Sequence, residues 1–367
     1  MKRIKKIYIF IFIYSFFIIL GDLIFSNFTN LGKINYNCFQ YFNLNHNNEK
    51  FHYYNLKNDC IAMESQRTVS PYKVFIDSNG YRYSGKKRDK SKKKILFAGD
   101  SQTYGFGVKY QDSFPGVVES KKKDYEIYNL GVPGYGMQMY WNRIEDFFNQ
   151  NNNISHVVVA MDMTDVIDLA YRWQNIPTTK YPVVKSHYLT KEIDDWDKMK
   201  NSNFQGTRLL IFYLRNLSRH IRIKLTEDSK ADTDKGLKSE TANFTYTDLS
   251  QHKILDKKKF ETALKGIDKY FGKISEISKK NNAEVYLLIF PWPENLIYGQ
   301  SNFDWEDFSK TICRKHECKK MFNLFEKFET IKTNNENWKK LIYIDDDIHL
   351  NKFGNLIAAT EIIDSIR

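Results

Sequence analysis

The stretch ILFAGDSQTYG, residues 95–105, decides the fold of this 367-residue chain. Four apolar residues, 95–98, run directly into a glycine, an aspartate and a serine. This order is typical of a buried parallel strand followed by the loop at its carboxyl end. Open α/β sheets carry their functional side chains at that end, which makes Ser101 the first candidate nucleophile. A Gly-Asp-Ser sequence is also an ordinary turn, so a second signal is needed.

The rest of the chain repeats the strand pattern. Apolar runs of strand length also occur at Tyr125–Leu130, Val157–Met161, Val285–Phe290 and Leu341–Ile344. Between several of them lie stretches with helical periodicity, such as 254–281 and 352–366. Strands that alternate with helices predict an α/β domain with a mostly parallel central sheet.

The N-terminus has the features of a membrane anchor. Four basic residues among the first six precede a nearly uninterrupted apolar stretch, 7–25. As a helix this stretch would span roughly 28 Å, about the thickness of the bilayer hydrocarbon. The basic flank predicts a cytoplasmic N-terminus and places the chain from about residue 27 outside the cytoplasm. A cleaved signal peptide is the alternative, although no small-x-small cleavage site follows.

Amino-acid composition and hydrophobic pattern divide the chain into three parts. Residues 1–26 are the predicted flank and transmembrane anchor, 27–90 a polar, Asn- and Tyr-rich membrane-proximal segment, and 91–367 the α/β domain. An insert around 171–253 interrupts that domain. Within it, 204–225 has a basic amphipathic pattern, typical of a core-facing helix or of a cover over a membrane or active site. The following residues, 226–242, are polar without periodicity and indicate a loop or a disordered insert.

Composition excludes some classes of protein and leaves one question open. Hydrophobic residues make up 42% of the chain, which excludes global disorder. The net charge is +12, with a basic run at 86–94. One interpretation is that this run attracts anionic polymers or lipid headgroups. The other is that it is a solvent-exposed stretch before the strand that begins at Ile95. No nucleic-acid motif accompanies the charge, so nucleic acid is not a predicted partner.

The four cysteines agree with an extracytoplasmic location. Cys38 and Cys60 lie near the predicted anchor, and Cys313 and Cys318 lie close together in the second half of the chain. Outside the cytoplasm both pairs are candidate disulfides, but connectivity cannot be read from sequence. His316 lies between the second pair, yet two cysteines and one histidine at this spacing match no zinc module. We therefore predict neither a metal nor another cofactor.

The second chemical signal lies far from the first, in DDIHLN, residues 346–351. A serine hydroxyl is a poor nucleophile at neutral pH and needs a base within hydrogen-bond reach. Histidine suits this role because its pKa lies near neutrality. A carboxylate three residues earlier can curl back and fix the tautomer of the imidazole. His349 is therefore the predicted base and Asp346 the predicted acid.

These stretches resemble the conserved blocks of one family, the SGNH (GDSL-type) hydrolases and acyltransferases. Residues 99–103, GDSQT, look like the first block, 129–136, NLGVPGYG, like the second, and Asp346-x-x-His349 like the last. The blocks occur in family order over about 95–367. The resemblance implies a three-layer α/β/α, flavodoxin-like architecture. It also implies that the backbone N–H groups of Ser101 and Gly134 stabilise an oxyanion.

One block departs from the family pattern. The third block of the family reads Gly-x-Asn-Asp, and its asparagine is an oxyanion donor. This chain has DMTD at 162–165, so that Thr164 stands where the asparagine is expected. A threonine hydroxyl donates a hydrogen bond but reaches less far than a carboxamide. The prediction is an oxyanion hole of Ser101, Gly134 and Thr164 with a weakened third donor.

The resemblance and the predicted location together imply a function. We expect a serine-dependent esterase or O-acyltransferase that forms an acyl-enzyme and acts on acylated carbohydrate of the cell surface or on another ester. The expected partners are the membrane, through the N-terminal helix, and a membrane acyltransferase. The alternative is a catalytically silent fold that serves as a scaffold or glycan-binding partner of a membrane acyl-transfer system.

Overall fold

A computed structural model describes residues 12–22, 24, 37–47, 49–64, 69–185, 257–300, 303–345 and 347–366. The chain divides into two compact units, one of 1–35 with 186–238 and one of 36–185 with 239–367. The predicted amphipathic stretch 204–225, the polar stretch 226–242 and the rest of the insert beyond residue 185 lie outside the described residues.

The described part of the first unit is a helix over 12–22. Large apolar side chains on this helix are exposed, from Phe12 at 73% to Leu20 at 39%. Among the helices that the structure describes, none is both long and apolar enough to cross a membrane. The basic flank and much of the predicted anchor, residues 1–11, 23, 25 and 26, lie outside the described residues.

The described residues of the second unit form twelve strands in two sheets. In chain order they are β1 (Phe39–His46), β2 (Glu49–Leu56), β3 (Cys60–Glu64), β4 (Tyr72–Ile76), β5 (Arg82–Tyr83), β6 (Lys93–Ala98), β7 (Tyr125–Asn129), β8 (Ile154–Met161), β9 (Trp173–Gln174), β10 (Val183–Lys185), β11 (Glu284–Ile289) and β12 (Lys320–Asn323). Its helices are Ser101–Tyr104, Phe114–Lys121, Met137–Gln150, Thr164–Ile167, Lys257–Lys280, Pro293–Tyr298, Trp305–Lys315, Phe325–Asn334, Trp338–Ile342 and Lys352–Ser365.

The main sheet has eight strands in the order β12-β11-β8-β6-β7-β5-β4-β3. The five strands from β12 to β7 are parallel, and β5, β4 and β3 extend the sheet in antiparallel fashion. The prediction of an α/β fold with a mostly parallel sheet is therefore confirmed.

Helices cover both faces of this sheet because its central strands are apolar on both sides. Alternate residues of β6 enter two separate cores: Leu96 and Ala98 belong to one, Ile95 and Phe97 to the other. The helix Met137–Gln150 contributes to the first core. Strand side chains alternate between faces, so an unbroken apolar run requires cover on each face.

The smaller sheet is antiparallel, in the order β1-β2-β10-β9. Residues 39–83, which lie in the predicted membrane-proximal segment, supply two strands of this sheet and three of the main one. A disulfide between Cys38 and Cys60 joins the chain before β1 to the first residue of β3, with a Cα–Cα distance of 5.8 Å. Cys313 and Cys318 form the second disulfide.

One predicted strand is wrong. The apolar run 341–344 begins in the helix Trp338–Ile342 and ends in an isolated bridge between Tyr343 and Leu350. Ile342 and Tyr343 are buried in the second core. Periodicity alone cannot distinguish a short buried helix from a short buried strand, because both place consecutive apolar residues in the core.

Candidate active site

Ser101 begins the short helix that follows β6. The Asp100 carboxylate caps this helix by accepting a hydrogen bond of 2.9 Å from the Gln102 N–H. Gly99 has no room for a side chain, since a Cβ there would lie 2.9 Å from the carbonyl oxygen of Ala160 and closer still to Thr103. The helix ends at Gly105, whose φ of 83° is left-handed. The local sequence thus holds Ser101 at the carboxyl end of a central strand.

Strands β3 and β5, at the antiparallel edge of the sheet, hold the helix Ser101–Tyr104, which we call the serine helix. The buried Arg82 guanidinium on β5 donates hydrogen bonds to the carbonyl oxygens of Tyr104, at 2.5 Å, and Gly105, at 2.6 Å. The Tyr104 hydroxyl donates to the Glu64 carboxylate at 2.6 Å. The two Arg82 bonds give hydrogen-bond partners to carbonyl groups at the end of the helix, where the helix itself supplies none.

His349 lies against Ser101. Its Nε2 is 2.8 Å from the Ser101 Oγ, and its Nδ1 is 2.6 Å from the Asp347 Oδ1. Burial raises the pKa of Asp347, but hydrogen bonds from the His349 ring and from the N–H groups of Ile348 and His349 outweigh it. The pKa of Asp347 therefore lies below its usual value, and the ionised carboxylate is the form that holds the imidazole.

Among the described residues, the carboxylate in contact with the histidine is that of Asp347. Asp346 was expected in this place, three residues before His349, and it lies outside the described residues. Asp347 is two residues before the histidine and accepts hydrogen bonds from both the ring and the backbone N–H of His349, at 2.6 and 3.2 Å. Tyr343 and Leu350 pair in an isolated bridge, and Asp347, which lies between them in the chain, reaches the ring from two residues away.

Gln102 joins the serine helix to the chain around His349, residues 343–350, which we call the histidine turn. Its amide Nε2 donates to the carbonyl oxygen of Ile348 at 3.1 Å, and its Oε1 accepts from the N–H of Leu350 at 3.1 Å. The two bonds flank His349 on either side. Gln102 is buried, with 3% of its surface exposed. No sequence motif identified this residue, and its only signal was its position next to the nucleophile.

Asp100 gives the Ser101 hydroxyl a second neighbour. The distance between the Ser101 Oγ and the Asp100 Oδ2 is 3.1 Å. Burial raises the pKa of Asp100, although hydrogen bonds and the nearby His349 oppose the rise. The hydroxyl has one proton and two acceptors, so protonation of Asp100 favours donation by Ser101 to His349.

Gly134 lies in a turn supported by the smaller sheet. Its φ of 74° is left-handed, and a Cβ would lie 2.6 Å from the Tyr54 hydroxyl and 2.7 Å from the Arg172 guanidinium. Tyr54 on β2 donates to the Pro133 carbonyl at 3.0 Å, and the Trp173 indole on β9 donates to the Gly134 carbonyl at 2.9 Å. Within the described part of the chain, the N–H of Gly134 has no acceptor. That N–H is therefore free to bind a ligand oxygen.

The Thr164 hydroxyl is already engaged. It donates to the Asp162 Oδ1 at 2.5 Å, and the Thr164 N–H donates to the same oxygen at 2.7 Å. A hydroxyl has a single proton, so in this arrangement Thr164 has none to offer an oxyanion. The structure thus does not place Thr164 in the role of donor that the sequence predicted.

Three buried carboxyl groups, those of Asp162, Asp165 and Asp168, lie close to Thr164 in the chain. Burial, reinforced by neighbouring carboxylates, raises the pKa of Asp162 to about 7 and that of Asp165 well above its usual value. Burial also raises the pKa of Asp168 to about 8, against the effect of Arg172 at 3.0 Å. The Trp292 indole donates to Asp162 at 3.2 Å. Among the described residues, no group of three or more potential ligands is arranged to hold a metal ion.

Comparisons with known proteins give structural neighbours only. No protein-family model and no curated protein sequence matches the chain. Among solved structures, it is similar to a member of the lipolytic G-D-S-L family from Veillonella parvula, at 12% identity and a TM-score of 0.38, over 74% of this chain and 97% of that one. It is also similar to a psychrotrophic esterase from Pseudoalteromonas sp., at 12% identity and a TM-score of 0.38, over 74% and 95%. A third neighbour is an acetylxylan esterase from Geobacillus stearothermophilus, at 11% identity and a TM-score of 0.40, over 76% and 98%.

Proposed function

We propose that this protein is a serine-dependent esterase or O-acyltransferase. The observation that carries the proposal is the line of contacts from Ser101 through His349 to Asp347, at 2.8 and 2.6 Å. A nucleophile within hydrogen-bond reach of a base, itself oriented by a carboxylate, is the arrangement that acyl transfer through serine requires.

The chemistry follows from these three side chains. The Ser101 Oγ attacks the ester carbonyl carbon while His349 Nε2 takes the hydroxyl proton, and Asp347 stabilises the resulting imidazolium. The Gly134 N–H, together with the N–H of Ser101, donates to the negative oxygen of the tetrahedral intermediate. His349 then returns the proton to the departing alkoxide, which leaves an acyl-serine. Water or a second hydroxyl, deprotonated by His349, removes the acyl group and regenerates Ser101.

For the substrate, we propose acyl groups on extracytoplasmic carbohydrate. The basic N-terminal flank and the apolar stretch that follows it support a membrane anchor with the catalytic unit outside. The exposed apolar side chains between Phe12 and Leu20 fit a lipid environment. Location at the cell surface favours cell-surface polymers as substrates and a membrane acyltransferase as a partner.

The location has its own test. Full-length protein is expected to sediment with membranes and to resist extraction by salt and alkali, and a C-terminal reporter is expected to be active only outside the cytoplasm. Recovery of soluble protein that begins near residue 27 would show instead that the segment is a cleaved signal.

Labelling by a fluorophosphonate tests the activity directly. The detergent-solubilised full chain is expected to react at Ser101 and to hydrolyse a chromogenic acetyl ester. Ser101→Ala should abolish both signals, whereas Ser120→Ala, at an exposed serine of the neighbouring helix, should leave both intact. Failure of the wild-type protein to react with the fluorophosphonate would contradict the proposal that it is an enzyme.

One observation favours a second candidate, the silent scaffold. The Thr164 hydroxyl is bound to Asp162, so the site has one oxyanion donor fewer than the family pattern implies. Loss of one such donor costs about 10²–10³ in rate. A scaffold would neither label with the fluorophosphonate nor transfer an acyl group to any acceptor, whereas a slow hydrolase would still label.

A further inference from the structure

A polar cleft of about 260 Å³ lies apart from the serine and histidine turns. Its walls contain three tyrosines, three asparagines and one residue each of glutamine, arginine, aspartate and methionine. Almost every lining side chain carries a hydrogen-bonding group, and the only aliphatic one belongs to Met139. An acyl chain would find no apolar wall here, whereas a ligand rich in hydroxyl groups would find donors and acceptors on all sides.

Two elements that support the Gly134 turn also build this cleft. The helix Met137–Gln150 begins just after that turn, and Arg143, Asp146 and Gln150 are spaced so that they lie along one of its faces. On β2, Tyr53 lines the cleft, while the next residue, Tyr54, bonds to Pro133. Neighbouring residues of a strand point to opposite faces, so one strand serves both places. The cleft is therefore mechanically joined to the Gly134 turn.

The two charged residues that line the cleft, Arg143 and Asp146, have opposite signs, and each already has hydrogen-bond partners. Asp146 accepts from Lys180 at 2.7 Å and also from the Tyr181 hydroxyl. The Arg143 guanidinium donates to the Asn55 side chain at 2.6 Å and to the Gly80 carbonyl at 2.9 Å. A charged ligand would have to displace one of these bonds. An uncharged ligand would leave them in place.

Arg143 and the aromatic rings make the wall of the cleft. Arg143 is buried, with 7% of its surface exposed, and its guanidinium lies over the Tyr81 ring at 5.0 Å. The Tyr53 and Tyr181 rings stack at 5.2 Å, and this rigid pair forms part of the wall.

We infer that this cleft binds an uncharged, hydroxyl-rich saccharide. The inference deepens the proposed function, because the saccharide would be the polymer that carries or accepts the acyl group. The cleft would hold sugar units at a distance from the unit that bears the reacting ester. Because the cleft is distinct from Ser101, saccharide binding to the cleft can be measured in a protein that does not turn over an ester.

Calorimetric titration of the full-length Ser101→Ala protein with cellopentaose, xylopentaose and tetragalacturonate tests the inference. We expect the two uncharged oligosaccharides to bind and tetragalacturonate to bind at least tenfold more weakly. Asn79→Ala and Gln150→Ala, at exposed positions of the cleft, should each weaken binding about three- to tenfold, the effect of one or two hydrogen bonds. Asn334→Ala, on the polar surface of another helix, is the matched control and should change nothing.

Three results would overturn the inference: no binding of either uncharged oligosaccharide, preference for tetragalacturonate, or equal affinity in the cleft variants and the control. The same variants made with Ser101 intact should hydrolyse a small chromogenic acetate at the wild-type rate. If that hydrolysis is absent in the wild type while saccharide binding depends on the cleft, the proposed enzyme fails and the binding site stands.

Discussion

The serine turn, 99–105, and the histidine turn, 343–350, meet at the 2.8 Å contact between Ser101 and His349 and at the two bonds of Gln102, but they are stabilised in different ways. In the serine turn the backbone bonds are local, such as Tyr104 N–H to Asp100 at 2.9 Å and Gly105 N–H to Ser101 at 3.0 Å. The histidine turn also has local bonds, from Ile344 N–H to the His349 carbonyl at 2.8 Å and from Asp347 N–H to the Ile344 carbonyl at 3.0 Å, but the distant side chain of Gln102 holds it as well.

The difference separates local from long-range control of a site. A buried strand, a capping aspartate and two glycines specify where Ser101 stands. The carboxylate that reaches His349 depends instead on how the second turn closes, and three consecutive aspartates, 345–347, offer no local basis for a choice. Variants in each turn can therefore test how far the two differ.

The largest effect should come from the contact that joins the turns. Ser101→Ala and His349→Ala are each expected to lower kcat for a chromogenic acetyl ester by about 10⁴–10⁶, and the double variant should lose little more. The two side chains act as one unit, so the second removal has nothing left to destroy. Multiplicative losses in the double variant, measured in the same assay, would show that the residues act independently.

The next effect distinguishes two neighbours in the histidine turn. Asp347→Asn should lower kcat by about 10²–10⁴, because an amide no longer stabilises the imidazolium and favours the wrong tautomer. Asp346→Asn, the matched control, should stay within about threefold of the wild type by the same argument. The reverse order in steady-state kinetics would restore Asp346 as the acid.

Gln102 is expected to have an intermediate effect as a positioning residue. Gln102→Leu removes both bonds to the histidine turn and should lower kcat about tenfold or more, with KM nearly unchanged. Asn355 is a matched buried amide, with 2% exposure, that bonds to the Leu350 carbonyl at 2.8 Å from the side of the C-terminal helix.

The control for that prediction is Asn355→Leu. This variant should lower Tm about as much as Gln102→Leu does, but it should leave kcat close to the wild-type value. Gln102→Glu keeps the acceptor for Leu350 and should recover part of the lost rate. Equal losses of kcat in the Gln102 and Asn355 variants would assign Gln102 to stability alone.

Thr164 should have a smaller effect on turnover. Thr164→Val removes only a hydroxyl that is bonded to Asp162, so kcat should fall by less than about tenfold. An oxyanion donor at this position would instead cost about 10²–10³. A loss of that larger size in the chromogenic assay would return Thr164 to the oxyanion hole.

The smallest effect concerns stability and pH. The pKa of Asp162 is raised from 3.8 to about 7, so between these values the folded protein binds a proton that the unfolded chain has lost. The free energy of unfolding therefore falls as pH rises through this window. Tm, measured by calorimetry, should be lower at pH 8 than at pH 5.5. Asp162→Asn should flatten this slope, whereas the exposed control Asp124→Asn should not.

Several features of the protein were determined by the sequence alone. Four of the five predicted strands and the two predicted long helices form near their expected places, because a short unbroken apolar run is stable as a core strand when helices cover both faces of the sheet. Ser101 and His349 were selected as candidate partners from motifs some 250 residues apart. Both signals are local: each depends on residues adjacent in the chain.

Only the tertiary structure decided the remaining features. It made Asp347 the partner of His349, bonded Thr164 to Asp162, and placed Gln102 across the two turns. It also turned 341–344 away from a strand and joined residues 39–83 to both sheets. Two of these contacts, Asp347 with His349 and Thr164 with Asp162, join residues only two apart, but the sequence does not show which neighbour each turn brings into reach. The contacts of Gln102 and of residues 39–83 join residues far apart in the chain, and no local pattern records them.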